Sequence, residues 1–133
     1  MREGRLIAAR LSAIAYMLLI FIASSQSNLE TAGIQRYPDY LLHFLEYLVL
    51  GLLLSWSFTG GFVNKIRAGF LVSAGYALFD ELHQYFVPGR VCSLQDYFFD
   101  LAGATCGLIL GAIIIQNAFE ENSVLLKKRG LAD

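Results

Sequence analysis

Residues 96–116, DYFFDLAGATCGLILGAIIIQ, form an apolar run that opens on Asp96 and Asp100 and carries glycine at positions 103, 107 and 111. As a helix rising about 1.5 Å per residue, the run extends roughly 30 Å, the thickness of the hydrocarbon core of a bilayer. Small residues at four-residue spacing let a second helix approach closely. On a wheel of about 100° per residue, Asp96 and Asp100 fall on the stripe of Gly103, Gly107 and Gly111. The pattern predicts a spanning helix whose small-residue face turns two carboxylates toward a neighbouring helix.

Three more apolar blocks precede it, at residues 6–24, 41–58 and 66–86. Together the four predict an all-α membrane protein: a compact bundle of four transmembrane helices in a single domain over residues 1–133, with a polar tail at 117–133. The composition agrees, with 133 residues, 56% hydrophobic and 16% charged, and a mean hydropathy of +0.55, far more apolar than a soluble domain needs. A soluble four-helix protein is the alternative, and the length and continuity of the blocks weigh against it. The first block, preceded by Arg2 and Arg5, containing Arg10 and ending in Ala23-Ser24-Ser25, also fits a cleaved signal peptide. It is long enough to span, and its removal would leave the orientation of the other three helices unchanged.

The basic residues set that orientation. Arg2, Arg5, Arg10, Lys65, Arg67, Lys127, Lys128 and Arg129 lie on one side of a four-helix topology, with Arg36 and Arg90 on the other. The positive-inside rule predicts cytoplasmic N- and C-termini, a cytoplasmic turn at Gly60-Gly61, and outward connections at residues 25–40 and 87–95. Arg10, one turn inside the first block, is expected to snorkel to the headgroups. The net charge of −1 argues against a nucleic-acid partner, so the bilayer is the first expected partner. Cys92 falls in an outer loop and Cys106 about 15 Å deeper by helical rise, so no disulfide is expected; Cys106 reads as a packing residue.

The remaining polar residues converge on the outer end. His43 and Glu46 share the second block with Tyr47 and Gly51. The third block places Gly69, Ser73, Ala77, Asp80 and Gln84 on one stripe, with Glu81 and His83 beside it. Ionisable groups at membrane depth are costly and mark functional sites. Five carboxylates, Glu46, Asp80, Glu81, Asp96 and Asp100, are opposed only by Arg90 and by whatever charge His43 and His83 carry. Such a group needs protons, a metal ion or a cationic ligand to balance it. Mixed histidine and carboxylate donors suit zinc or another divalent metal, with His43, Glu46, Glu81 and Asp96 as the candidate ligands. In an enzymatic reading, Glu81, Asp96 and His83 are the acid–base candidates. His43, Glu46, Asp80, Gln84, Arg90 and Asp100 then form the binding set, with Arg90 contacting an anionic group. A continuous ion relay is not expected, because below Asp100 the third and fourth blocks offer only Ser73, Thr105 and small groups.

Asp39-Tyr40-Leu41-Leu42-His43 with Tyr47, the run from Asp80 to Arg90, and Ser93, Asp96, Asp100, Gly103, Ala104 and Gly107 resemble the VanZ-like family. The resemblance covers residues 39–111 and the order of four helices, with the stretch 80–107 its specific part. Tyr40 stands where the family commonly has lysine, and Asp100 where it often has asparagine. The resemblance implies a bacterial cell membrane, a role at the cell envelope and a link to glycopeptide (teicoplanin-type) antibiotic resistance. It carries no defined reaction. Two expectations follow: an outward-facing acidic and histidine site that recognises or processes an envelope component, such as a lipid-linked one or a cationic ligand, or a non-enzymatic interaction module with a structural polar cluster. The glycine stripes fit packing within one chain or between two copies.

Overall fold

The computed structural model describes residues 2–26, 39–90 and 92–129. Four helices account for nearly all of them: α1 (Arg2–Ser24), α2 (Asp39–Ser57), α3 (Phe62–Tyr85) and α4 (Leu94–Lys128). The expected outer connection between α1 and α2, with its Arg36, falls mostly on residues 27–38, outside the described residues. The helices begin two to four residues before the apolar blocks do, because apolarity marks only the part immersed in hydrocarbon and the backbone continues its hydrogen-bond ladder beyond it.

α4 departs most from the sequence expectation. It does not stop at Gln116 but runs 35 residues to Lys128, about 52 Å at helical rise. No Gly or Pro interrupts residues 112–128, and Gln116 Nε2 donates to Glu120 Oε1 at 3.2 Å one turn on. Lys127 and Lys128 close the last turn, where cations favour the negative end of the helix dipole.

Among the described residues, three helices are long and apolar enough to cross a membrane: Glu3–Ser24, Tyr40–Ser57 and the helix Leu94–Leu125. The sequence led us to expect four. α3 has the length, at 24 residues, but Lys65, Arg67, Asp80 and Glu81 dilute its apolar character. The bundle hides part of that polarity, since the buried side of α3 is Gly69, Ser73, Ala77, Asp80, Glu81 and Gln84.

Burial is inverted relative to a water-soluble protein. Ile7, Leu11, Leu18 and Ile22 of α1, Leu71, Leu78 and Leu82 of α3, and Ile113 and Ile114 of α4 face outward, whereas Ser24, His43, Ser55, Ser73, Asp80, Glu81, Gln84 and Asp100 are buried. Apolar surface on this scale is unstable in water and suits lipid. The chain is a compact all-α membrane protein.

The core of the bundle is the α2–α4 seam. A Cβ added at Gly103 would overlap the carbonyl oxygen of Phe44, one at Gly107 that of Leu48, and one at Gly51 that of Ala104. Backbone therefore meets backbone, and the glycine stripe is used within the chain. Around the seam pack Tyr47, Leu50, Leu54, Ala104 and Leu108, with Ala13 and Ile20 of α1 and Ala77 of α3.

Arg10 Nε donates to the Ser57 carbonyl at 3.1 Å, satisfying a free acceptor at the C-terminal end of α2. One further expectation is corrected. Cys106 is exposed on α4 rather than packed; Cys92 is exposed as well, and both are free. The α2–α3 turn passes through Gly60 at φ 110°, a conformation that side-chain-bearing residues rarely adopt.

Candidate functional site

Antiparallel connectivity brings the end of α1, the start of α2, the end of α3 and the start of α4 to one end of the bundle. The small-residue stripes decide what meets there. Asp100 lies three residues before Gly103 on the buried face of α4, so the close α2–α4 approach presses it against α2. Its Oδ1 is 3.0 Å from His43 Nδ1, a buried hydrogen-bonded pair. Glu81 closes the group from α3. One donor atom from each of His43, Glu81 and Asp100 lies within 4.8 Å of the others.

The loop after α3 is tied to the same carboxylate. Val87 N–H donates to Gln84 O and Arg90 N–H to Val87 O, and Gly89 turns the chain at φ 84°. The return is pinned where Ser93 N–H donates to Glu81 Oε2 at 2.7 Å. Ser93 then caps α4: its Oγ accepts from Asp96 N–H at 3.3 Å, one half of a capping box, while the Ser93 N–H that would complete the box goes to Glu81 instead of the Asp96 side chain. Glu81 thus places negative charge at the positive end of the α4 dipole. The Cys92 thiol is held above its ordinary pKa by partial desolvation and then by the neighbouring Glu81 carboxylate, which keeps it protonated and a poor nucleophile.

A second branch runs from α3 to α1. Ser24 Oγ donates to Asp80 Oδ1 at 2.7 Å, and Gln84 Nε2 donates to Asp80 Oδ2 at 3.1 Å. Ser25 Oγ is hydrogen-bonded to His83 Nε2 at 3.0 Å, and the His83 ring lies 4.3 Å from that of Phe21. Tyr76 donates to the Met17 carbonyl. Asp80 is therefore fully engaged, and His83 faces α1 rather than the His43–Asp100 pair. Ser24→Ala is expected to cost about 1–3 kcal/mol, because Asp80 Oδ1 stays buried and loses its donor. Ser25→Ala, at a half-buried position, should cost less. Thermal unfolding of the detergent-solubilised chain checks both.

Of the residues singled out from the sequence, His43, Glu81 and Asp100 come together. Asp80 and Gln84 form the adjoining branch, and Arg90 sits on the loop above. Glu46 and Asp96 are half-buried and fall outside the group that could share an ion, where Asp100 takes the place expected of them. Sequence reasoning passed over Ser24 and Ser25, read only as a cleavage signal, and Tyr47, read only as part of a helix face. It also missed the Ser93 cap, although that signal stands in the sequence as Ser-x-x-Asp before an apolar run.

Four buried polar atoms lack a hydrogen-bond partner among the described residues: Tyr47 Oη, Glu81 Oε1, Asp100 Oδ2 and Arg90 Nε. Three of the four belong to the His43–Glu81–Asp100 group or to the residue one turn below His43. Buried polar atoms are nearly always paired, so their concentration here marks where an additional group would be held. A groove of about 1030 Å³ at the opposite end has mainly apolar walls, and the charges along it balance, Glu3 and Glu120 against Arg5 and Lys65. It offers no comparable convergence.

A family model described as VanZ/LLP1 matches residues 10–115, which takes in most of α1, all of α2 and α3, the first two thirds of α4 and every residue of the polar site. No curated protein and no solved structure matches the chain significantly.

Proposed function

The chain belongs to the VanZ/LLP1 family, and from its buried polar pocket we propose a multi-pass protein of the bacterial cell membrane, termini cytoplasmic, that recognises or processes a cell-envelope component. The carrying observation is the pair of carboxylates with unpartnered oxygens, Glu81 and Asp100, beside a buried histidine. In lipid surroundings such a group is retained only where it is used. Arg5, Arg67, Lys127 and Lys128 lie toward the opposite end of the bundle, and the positive-inside rule then turns the pocket outward, toward the envelope. Arg90, above the pocket on the Pro88-Gly89 turn, is the contact for a phosphate or carboxylate of a lipid-linked ligand. The balancing positive charge is a divalent metal or a cationic group of the ligand itself. The family resemblance adds to this reading a contribution to glycopeptide resistance.

Purified chain incubated with lipid-linked envelope precursors, with and without a chelator, tests it. Binding or turnover that is lost in Arg90→Ala supports the pocket as the working site. In cells, Asp100→Asn is expected to abolish the envelope phenotype with membrane insertion intact; a persistent phenotype, together with unchanged precursor binding by Arg90→Ala, makes the pocket structural. The engaged Asp80 branch already has the form of a structural tie, so a purely structural role is the second reading for that branch alone.

A further inference from the structure

We infer that His43, Glu81 and Asp100 form a divalent-metal site of the zinc class, with Tyr47 beneath it. The inference rests on the pocket being the working site and names the cation it holds. Three features carry it. One donor atom from each residue lies within 4.8 Å of the others. A bound ion with ligands at about 2.1 Å holds its donors roughly 3–4 Å apart, so side-chain adjustment of about one ångström closes the site. The donor set, one imidazole and two carboxylates, is one that zinc and similar borderline cations accept.

The second feature is charge. Glu81 and Asp100 are 3% and 0% exposed, and among the described residues no Lys or Arg forms an ion pair with either; Asp100 is paired with His43. Glu81 Oε2 is occupied by Ser93 N–H and Asp100 Oδ1 by His43, leaving Oε1 and Oδ2 without partners. A divalent cation supplies both the missing charge and the missing coordination.

The third feature comes from α2 itself. Tyr47 is 0% exposed with an unpartnered hydroxyl and lies one turn below His43 on the same face. A phenol buried without an acceptor in its own fold is out of place unless a further group joins the pocket. Ser93 N–H holds Glu81 as an outer-shell partner orients a metal ligand. Three protein donors leave a coordination position for water or for a group of the ligand.

The test is metal content and affinity of the full chain, purified in detergent without a polyhistidine tag. After chelator treatment and readdition of Zn²⁺, one equivalent per chain is expected by elemental analysis. His43→Ala and Asp100→Asn should weaken Zn²⁺ binding, measured by competition with a chromophoric chelator, by more than the ~10–100-fold lost when an outer-shell partner is removed. Asp96→Asn and His83→Ala should bind like the parent chain. Circular dichroism and size-exclusion profiles confirm that the compared variants are folded, and Glu81→Gln, which keeps an oxygen for Ser93, stands in where a variant is not. Absence of stoichiometric zinc in the folded parent, or equal losses in pocket and control variants, overturns the metal site. If zinc is absent while Arg90→Ala still abolishes precursor binding, only the metal falls. If zinc binds as expected and Arg90→Ala changes nothing, only the envelope-component reading falls.

Discussion

Gly107→Val is expected to destabilise the folded bundle by about 3 kcal/mol or more. A first side-chain carbon at this position overlaps the Leu48 carbonyl and crowds Leu52 N, both backbone atoms of α2 that no rotamer change can move. Overpacking in cores commonly costs about 1–3 kcal/mol, and here relief requires pushing α2 and α4 apart along their whole seam. A loss at or above the top of that range is a large part of a total stability of about 5–15 kcal/mol. Gly69→Ala meets only the tip of the Leu108 side chain, which can rotate, and Gly75→Ala meets nothing within 4 Å. The predicted order of harm is Gly107→Val, then Gly69→Ala, then Gly75→Ala with little change. Detergent-resistant melting by fluorescence-detected size exclusion measures it. Equal melting temperatures for the first and last would show that the seam is not tightly packed.

The second large effect belongs to Glu81. Glu81→Ala removes the acceptor of Ser93 N–H, a charge-assisted bond of about 1.5–3 kcal/mol, and it also removes one carboxylate from the pocket. Both loop order and function should be lost. Glu81→Gln keeps an oxygen for Ser93 and removes the charge, so it should restore the loop without restoring function. Hydrogen exchange at the Ser93 amide reports the loop, and precursor binding reports the function. Recovery of both in Glu81→Gln would confine Glu81 to holding the loop.

The seam was legible in the sequence because its signal is local. Gly103, Gly107 and Gly111 repeat at a helical period, and the wheel that places them also places Asp100, so the buried carboxylate could be read before any contact was known. Which helix received that face was not legible, since small residues in α3 offered an equally good partner; only the fit of Gly103 and Gly107 against Phe44 and Leu48 selects α2. The site was legible as a set and less so as a geometry. Glu46 and Asp96 carry the right chemistry, yet Glu46 stands one residue before Tyr47, a step that turns its side chain by about 100° from the His43 face, and Asp96, on the Asp100 stripe, lies a full turn, about 6 Å, nearer the helix end. α3 shows the opposite case: its average hydropathy understates how well it fits the bundle, because averaging discards the face on which Asp80, Glu81 and Gln84 lie. The serines of α1 were hidden by composition, since Ser24 and Ser25 acquire meaning only from the Asp80 and His83 side chains that come 56 and 58 residues later.

The interlocked seam also has a dynamic consequence. Two helices joined carbonyl to glycine move as one rigid body, so motion during ligand entry must fall to the elements held by side chains. α1 is the loosest of these, with 11% of its spanning window buried against 39% for α2 and α4. Spin labels across α2 and α4 should report a single fixed distance whatever is bound, while a pair across α1 and α4 should report a distribution. Because α4 continues unbroken to Lys128, any tilt of that rigid pair at the pocket is magnified at the far end of the rod, making a label there a lever for reading it.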